Sequence, residues 1–126
     1  MDNAATIRCR VAACRETLPP AGDAWSFYLI NDRDVPLDAV LFEVSTEWGD
    51  MGSCTRTDVH VSSLQPGMNA LLWRDDGEMR IELALRASCG ARTVTLRFEF
   101  PKLYIQRNLQ LIAGLAAPGL QVAAEG

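Results

Sequence analysis

The clearest pattern in the chain is an alternation of apolar and polar residues on both sides of Ser88-Cys89-Gly90-Ala91. A period of two over this length predicts β-strands that bury one face. The interruption predicts a hairpin loop, and four residues suit it best because a two-residue type I′ turn would need a positive φ at Cys89. The apolar positions are Met79, Ile81, Leu83 and Leu85, then Val94, Leu96, Phe98 and Phe100.

The polar positions of this hairpin suggest how its two strands are aligned. Folding the chain about Cys89 and Gly90 sets Arg80 opposite Glu99 and Glu82 opposite Arg97. Directly opposed unlike charges stabilise a sheet by roughly 0.2–1 kcal/mol for each pair. A slip by one residue would turn the whole apolar row to solvent. The sequence therefore predicts a register that pairs the apolar residues as Ile81–Phe98, Leu83–Leu96 and Leu85–Val94.

A second hairpin is predicted immediately before the first. Leu71 and Trp73 are alternating apolar positions that lead into Asp75-Asp76-Gly77, and Met79 follows. A three-residue loop that ends in glycine suits a type I turn with a bulge, because glycine tolerates the left-handed conformation. This loop would pair Trp73 with Met79, so residues 70–100 are predicted to form a three-stranded meander.

Four further strands are predicted from shorter runs of the same kind. The run over Trp25–Ile30 is almost entirely apolar, which is typical of a central strand covered on both faces. The other three runs alternate, and glycine, proline, asparagine and aspartate mark the turns between them. They cover Thr6–Cys14, Ala39–Trp48 and Thr57–Leu64. About seven strands at this spacing predict an all-β fold, an antiparallel immunoglobulin-like β-sandwich.

The segment after Pro101 is compatible with two structures. Ile105, Leu109 and Ile112 recur at helical spacing, whereas Leu109 and Leu111 also fit the spacing of a strand. The favoured interpretation is a C-terminal arm that is a strand or extended segment to about Ile112, and a short helix is the alternative. We expect one domain over residues 1–117 and a flexible tail over residues 118–126.

Composition narrows the class of protein. The chain has 126 residues, 48% of them hydrophobic, which is enough for one domain with its own core. A net charge of −4 argues against nucleic acid or an anionic membrane as partner. Without a visible signal peptide or an apolar run long enough to cross a bilayer, we expect a cytoplasmic protein. Eleven of the twelve basic residues are arginine, which suggests a GC-rich bacterial genome.

Catalytic and metal-binding patterns are weak. The four cysteines lack zinc spacing, and His60 is the single histidine. A disulfide between Cys54 and Cys89 stays open. Asp58, His60 and Ser62 fit an exposed strand face better than a catalytic triad, because no nucleophile turn accompanies them. Paired carboxylates such as Glu43 and Glu47 are the residues an acid–base enzyme would use. We expect no cofactor and no enzymatic activity.

Two features leave a ligand-binding role open. Asp32, Asp34 and Asp38 share one loop and are weak candidates for calcium, although aspartate is also an ordinary turn residue. Trp48 ends a strand beside a glycine-rich loop and is the best candidate for an exposed carbohydrate contact. Trp25 and Trp73 fall on inward positions and are predicted to pack in the core.

Several apolar residues fall at positions that are predicted to face solvent, on the outward faces of strands and in the C-terminal arm. Large exposed apolar patches mark interfaces, and an arm at a sheet edge can pair within its own chain or with a neighbour. The leading hypothesis is a non-catalytic protein-interaction or assembly module that self-associates or binds another protein. The alternative is a carbohydrate- or calcium-binding module that uses loop ends. The predicted interface residues are Tyr28, Leu41, Leu72, Ile105, Leu109 and Ile112.

Overall fold

A computed structural model describes residues 9–17, 23–48, 51–75, 79–89, 92–101, 110–112 and 117–123. Within these ranges the chain is all-β, as predicted, and no helix has the length and hydrophobicity to cross a membrane. The strands are β1 (Cys9–Thr17), β2 (Asp23–Asn31), β3 (Leu37–Trp48), β4 (Met51–Leu64), β5 (Asn69–Asp75), β6 (Arg80–Cys89), β7 (Arg92–Phe100), β8 (Gln110–Ile112) and β9 (Ala117–Ala123).

The strands form two antiparallel sheets that share one hydrophobic core. The five-stranded sheet has the order β5-β2-β1-β9-β8, and the four-stranded sheet has the order β4-β3-β6-β7. The alternating apolar residues of both sheets meet between them. The rings of Phe27 on β2 and Phe100 on β7 pack edge to face, with their centroids 5.1 Å apart. Fully buried core residues include Val11, Leu29, Leu41, Leu83, Leu85 and Phe98.

The β6–β7 hairpin is as predicted in its faces but not in its register. Ile81 pairs with Phe100 and Cys89 pairs with Arg92, so the strands are offset by two residues from the predicted alignment. Two residues, Gly90 and Ala91, separate the paired ends, and the predicted four-residue loop is therefore wrong. A shift by two leaves every side chain on its original face. The burial pattern consequently cannot distinguish the two registers.

The predicted meander is wrong because β5 belongs to the other sheet. Trp73 of β5 lies opposite Phe27 of β2, and β6 pairs with β3 and β7. The chain therefore passes from one sheet to the other between Asp75 and Arg80. Alternation indicates which side chains point inward, but it does not indicate which strand is the neighbour.

Two irregularities explain why Leu41 and Leu72 are buried instead of outward-facing. Between Leu41 and Glu43 the pairing with β6 shifts, which leaves Phe42 as an extra residue. In β5 the extra residue is Leu72, because Leu71 and Trp73 pair with successive residues of β2. A β-bulge of this kind changes the phase of the alternation. Leu41 and Leu72 are 0% and 3% exposed, so both predictions of an outward position are wrong.

The C-terminal strands extend the five-stranded sheet beyond β1. β9 pairs with β1, and β8 pairs with β9. Gln110–Ile112 is thus a strand, and residues 103–109 of the predicted arm lie outside the described residues. Residues 118–123, predicted as part of a flexible tail, lie in β9. Ile105 and Leu109 lie outside the described residues.

Candidate interaction surface

The outer face of the four-stranded sheet carries a set of ion pairs that we call the charge ladder, formed by Arg80, Glu82, Arg97 and Glu99. Glu82 on β6 lies directly opposite Glu99 on β7. Like charges in that position destabilise a sheet. Arg97 Nη1 lies 3.1 Å from Glu82 Oε1, and Arg80 forms an ion pair with Glu99. The predicted charge pairs therefore form, but along the diagonals of the sheet instead of directly across it.

An open groove of about 780 Å³ adjoins the charge ladder, at the end of the sheet where β3 leads to β4. We call it the end groove. Thr46 Oγ1 and Ser53 Oγ lie 2.7 Å apart in it and share a hydrogen bond. Carboxylates and hydroxyls dominate the lining, so the groove offers mainly hydrogen-bond acceptors to a polar ligand. It is lined by Ser45, Thr46, Glu47, Gly52, Ser53, Cys54, Arg80, Ile81, Glu82 and Glu99.

β7 is an edge strand of the four-stranded sheet. It pairs with β6 on one side, and among the described residues no strand pairs with its other side. The pairing with β6 runs from Ile81 to Cys89 without a register shift. Thr93, Thr95, Arg97 and Glu99 are exposed, and Leu96, Phe98 and Phe100 are buried. A regular exposed edge presents unpaired backbone N–H and C=O groups to a further strand.

The other described edges carry features that oppose strand addition. β4 has two register shifts against β3, and Ser63 near its end has a φ of 54°. Arg56, Asp58 and His60 of β4 are exposed polar residues, but β7 also carries the exposed charges Arg97 and Glu99, so the register shifts distinguish the two edges and charge does not. β5 contains the bulge at Leu72, and β8 has only three residues. Bulges, charges and short length are the usual ways in which proteins protect sheet edges.

The three candidate calcium ligands are not brought together. Both carboxylate oxygens of Asp32 accept hydrogen bonds from Arg10, at 2.7 and 2.8 Å, and this hydrogen bonding raises the pKa of the guanidinium. Asp38 Oδ1 accepts a hydrogen bond of 2.6 Å from the N–H of Ser63. Asp34 is exposed. Across the described part of the chain, no three acidic, histidine or cysteine side chains are placed to share a metal ion.

The predicted aromatic and apolar contacts have mixed outcomes. Trp25 is buried in the core as predicted, whereas Trp73 is only partly buried against it. Tyr28 is partly buried in a second cluster with Ala12, Cys14 and Ile30, separate from the main core. Trp48 is the last residue of β3, next to Glu47 of the end groove, and Ile112 is the last residue of β8.

The remaining chemical candidates are separated as well. Glu43 and Glu47 are four residues apart on β3, about 13 Å at the usual rise per residue of a strand. His60 and Asp58 are both strongly exposed, with 3.9 Å between His60 Nε2 and Asp58 Oδ1. This agrees with an exposed strand face.

The cysteines do not form the disulfide that the sequence leaves open. Cys54 is a free thiol that pairs across the sheet with Ser45, whereas Cys89 follows Ser88, which pairs with Asp38. Ser45 and Asp38 are seven residues apart on β3, about 23 Å at the usual rise per residue of a strand, so Cys54 and Cys89 lie at distant positions along the sheet. A disulfide needs Cα atoms within about 7 Å. Burial, reinforced by Asp32, raises the pKa of the Cys9 thiol to about 12.

Sequence reasoning missed the irregular positions and one buried polar residue. Asparagine is an ordinary turn residue, but the side chain of Asn31 is fully buried, with its nitrogen donating two hydrogen bonds and its oxygen accepting one. A preference of asparagine for turns could not reveal this role. No model of a known protein family matches the chain, and no curated protein sequence matches it. Its function must therefore be inferred from its own residues.

Proposed function

We propose that this protein is a non-catalytic protein-interaction module that self-associates through β7. The observation that carries the proposal is the contrast between β7 and the other described edges. β7 is nine residues long, pairs with β6 without a register shift and has exposed outward side chains, whereas β4 and β5 are bulged and β8 is short. Strand addition at such an edge is a common mode of protein recognition because backbone hydrogen bonds continue the sheet.

The strand order supports an immunoglobulin-like arrangement for the module. β1, β2 and β5 lie in one sheet, and β3, β6 and β7 lie in the other, with β4 added next to β3. Immunoglobulin-like domains divide their strands in this way, and the strand after the third can join the second sheet. In this arrangement β7 is the final strand of the basic domain, and β8 and β9 are additions beside β1.

A cytoplasmic location stays a prediction. Cys9 is a buried free thiol and Cys54 is an exposed one. Free thiols of this kind persist in a reducing compartment, which supports the cytoplasm over an oxidising environment.

The proposal is tested by measuring mass and backbone protection on the same samples. Light scattering after size exclusion, over a range of protein concentrations, should show a dimer or larger species at the upper end. Residue-resolved amide hydrogen exchange should then show β7 amides that gain protection as the concentration rises. β4 is the internal control, because it is the other edge of the same sheet and should gain none.

Two results would count against this function. A monomer at every concentration, combined with crosslinking in cells that captures no partner, would remove self-association and heterologous binding together. Concentration-dependent protection in β4 instead of β7 would support self-association but would contradict β7 as the strand that mediates it.

A second candidate function is carbohydrate binding in the end groove. The groove combines hydroxyls and carboxylates, which suit sugar hydroxyl groups, and Trp48 ends the strand that carries Glu47. Calcium binding by the aspartates has less support, because Arg10 donates hydrogen bonds to Asp32 and the N–H of Ser63 donates one to Asp38.

Calorimetry with a glycan panel tests the carbohydrate proposal. A bound glycan should release heat, slow the chemical labelling of Cys54 in the groove, and bind more weakly to Glu47→Gln. Glu43→Gln is the matched control, since Glu43 lies on the same strand outside the groove. The absence of heat with every glycan would remove this candidate.

A further inference from the structure

We propose that the partner of β7 is β7 of a second copy, paired antiparallel about a two-fold axis at Phe98. This inference rests on the proposed self-association and specifies its geometry. In this arrangement Arg97 faces the partner's Glu99, and Glu99 faces the partner's Arg97. The two four-stranded sheets would then join into one continuous sheet.

Symmetry leaves few ways to pair a strand with itself. An isologous contact between antiparallel strands is described by the residue that lies on the axis. An axis between two residues would set an outward side chain of one copy opposite an inward one of the other, which the alternation forbids. The registers that pair at least five of the nine residues of β7 are therefore centred on Val94, Thr95, Leu96, Arg97 or Phe98.

The charges on the outer face distinguish these five registers. Centring on Val94 or Thr95 sets neither Arg97 nor Glu99 opposite a charged residue of the partner. Centring on Arg97 places the two copies of that arginine directly opposite each other. Centring on Leu96 places Arg97 opposite Thr95 of the partner, which itself lies opposite Arg86 on β6. Glu99 would lie opposite the partner's Thr93, so neither charge would gain an unlike partner. Centring on Phe98 opposes two unlike pairs, and only directly opposed unlike charges stabilise the contact.

The Phe98 register also relieves the like-charge contact within each copy. Glu82 and Glu99 lie side by side on β6 and β7. The next position in the same row, beyond Glu99, would hold the partner's Arg97. A row that ends in two carboxylates would therefore continue into a guanidinium. Arg97 and Glu99 of the charge ladder are each about half exposed, so both side chains are accessible to a second copy.

The contact is short, so the association should be weak. In the Phe98 register only residues 96–100 of each strand face one another before β7 ends. A short contact of this kind belongs to the small interfaces that form transiently. We expect a monomer–dimer equilibrium that shifts within the range of concentrations accessible to light scattering or sedimentation.

Charge exchange tests the register directly. Arg97→Glu and Glu99→Arg should each weaken self-association by about tenfold or more, because each creates two like-charge pairs. An equimolar mixture of the two variants should form a heterodimer, since the all-acidic and all-basic edges restore both unlike pairs. Arg86→Glu is the matched control on the same face and should leave association unchanged. Circular dichroism of each variant at a low concentration checks that the monomer is folded.

The outcomes separate this inference from the function on which it rests. A wild-type protein that is monomeric at all concentrations would overturn both. A wild-type dimer that tolerates both single charge reversals would keep self-association but would overturn the Phe98 register. Amide hydrogen exchange of the unmodified protein provides an independent check. Protection confined to residues 96–100 supports the Phe98 axis, whereas protection that extends to Thr93 overturns it.

Discussion

The side-chain amide of Asn31, at the end of β2, donates a hydrogen bond of 2.8 Å to the backbone carbonyl of Leu64, at the end of β4. β2 and β4 belong to different sheets. The same amide donates to the carbonyl of Val35, and its oxygen accepts from the N–H of Arg33. One fully buried side chain thus ties both sheets and the turn between β2 and β3 together at one end of the molecule.

Replacing Asn31 should destabilise the fold strongly. Asn31→Ala removes the side-chain partner of the buried Leu64 carbonyl and of two part-buried groups, the Val35 carbonyl and the Arg33 N–H. An unsatisfied buried group costs about 1–3 kcal/mol. Asn31→Asp should be worse, because a carboxylate would face two carbonyl oxygens in a buried site. Urea unfolding monitored by tryptophan fluorescence gives the free energies. Gln65→Ala, an exposed amide at the same end, is the control and should change the free energy of unfolding by about 0.5 kcal/mol or less.

A second prediction concerns the hydrogen bond from Ser63 N–H to Asp38. Ser63 has a φ of 54°, a backbone conformation that residues other than glycine and asparagine adopt at a cost in free energy. The 2.6 Å hydrogen bond from its N–H to the Asp38 carboxylate stabilises this conformation. Asp38→Ala should lower the free energy of unfolding by about 1–2 kcal/mol, and Asp38→Asn should recover part of this. Ser63→Gly should be neutral or stabilising. Ser63→Gly keeps the backbone N–H and therefore the bond to Asp38, so a loss of stability in this variant would contradict a cost from the positive φ.

How far the fold can be predicted depends on which interactions are local. The burial of Leu83, Leu85 and Phe98 follows from alternation alone, because each strand residue has only two faces to choose between. The neighbour of β5 could not be found in this way, since Trp73 is an equally good partner for Met79 or Phe27 in a local pattern. Bulges were missed because one extra residue changes the phase without any distinctive sequence.

The edge-to-face contact of Phe27 and Phe100 leads to a third prediction. These rings come from different sheets, are 0% exposed and lie 5.1 Å apart between centroids. Truncation of either ring to alanine should cost about 3–5 kcal/mol through lost burial and the cavity left behind. The double-alanine variant should cost less than the two single losses added together, because neighbouring residues share the same contact. Thermal unfolding of the four proteins measures this coupling, and full additivity would contradict a direct contact.

The buried Cys9 thiol predicts a loss of stability at alkaline pH. Its pKa in the fold is about 12, against an ordinary value of 9.0, because burial disfavours the thiolate. Above about pH 9 the unfolded chain ionises while the fold keeps its proton, so the free energy of unfolding falls as the pH rises. Over the full interval the loss approaches about 4 kcal/mol. Cys9→Ala should have a lower stability at neutral pH but a shallower decline between about pH 8 and pH 11.

The candidate surface was only partly accessible from the sequence. The charges of Arg80, Glu82, Arg97 and Glu99 were identified, because alternation places them on one face, but their diagonal pairing required the true register. The apolar residues chosen as an interface included Leu41 and Leu72, which the bulges turn into the core. The position of β7 at the end of the described sheet could not be predicted at all, since an edge is defined by the order of the strands and not by the sequence of any one strand.

The pairing of β1 with β9 joins segments from nearly opposite ends of the described chain. During synthesis, β1 leaves the ribosome long before β9 has been made. The backbone N–H and C=O groups of β1 that later pair with β9 have no strand partner until then. Closing so large a loop is entropically slow, and proteins dominated by distant contacts fold slowly. Nascent chains of this protein should therefore depend on chaperones that shield β1 until β9 arrives.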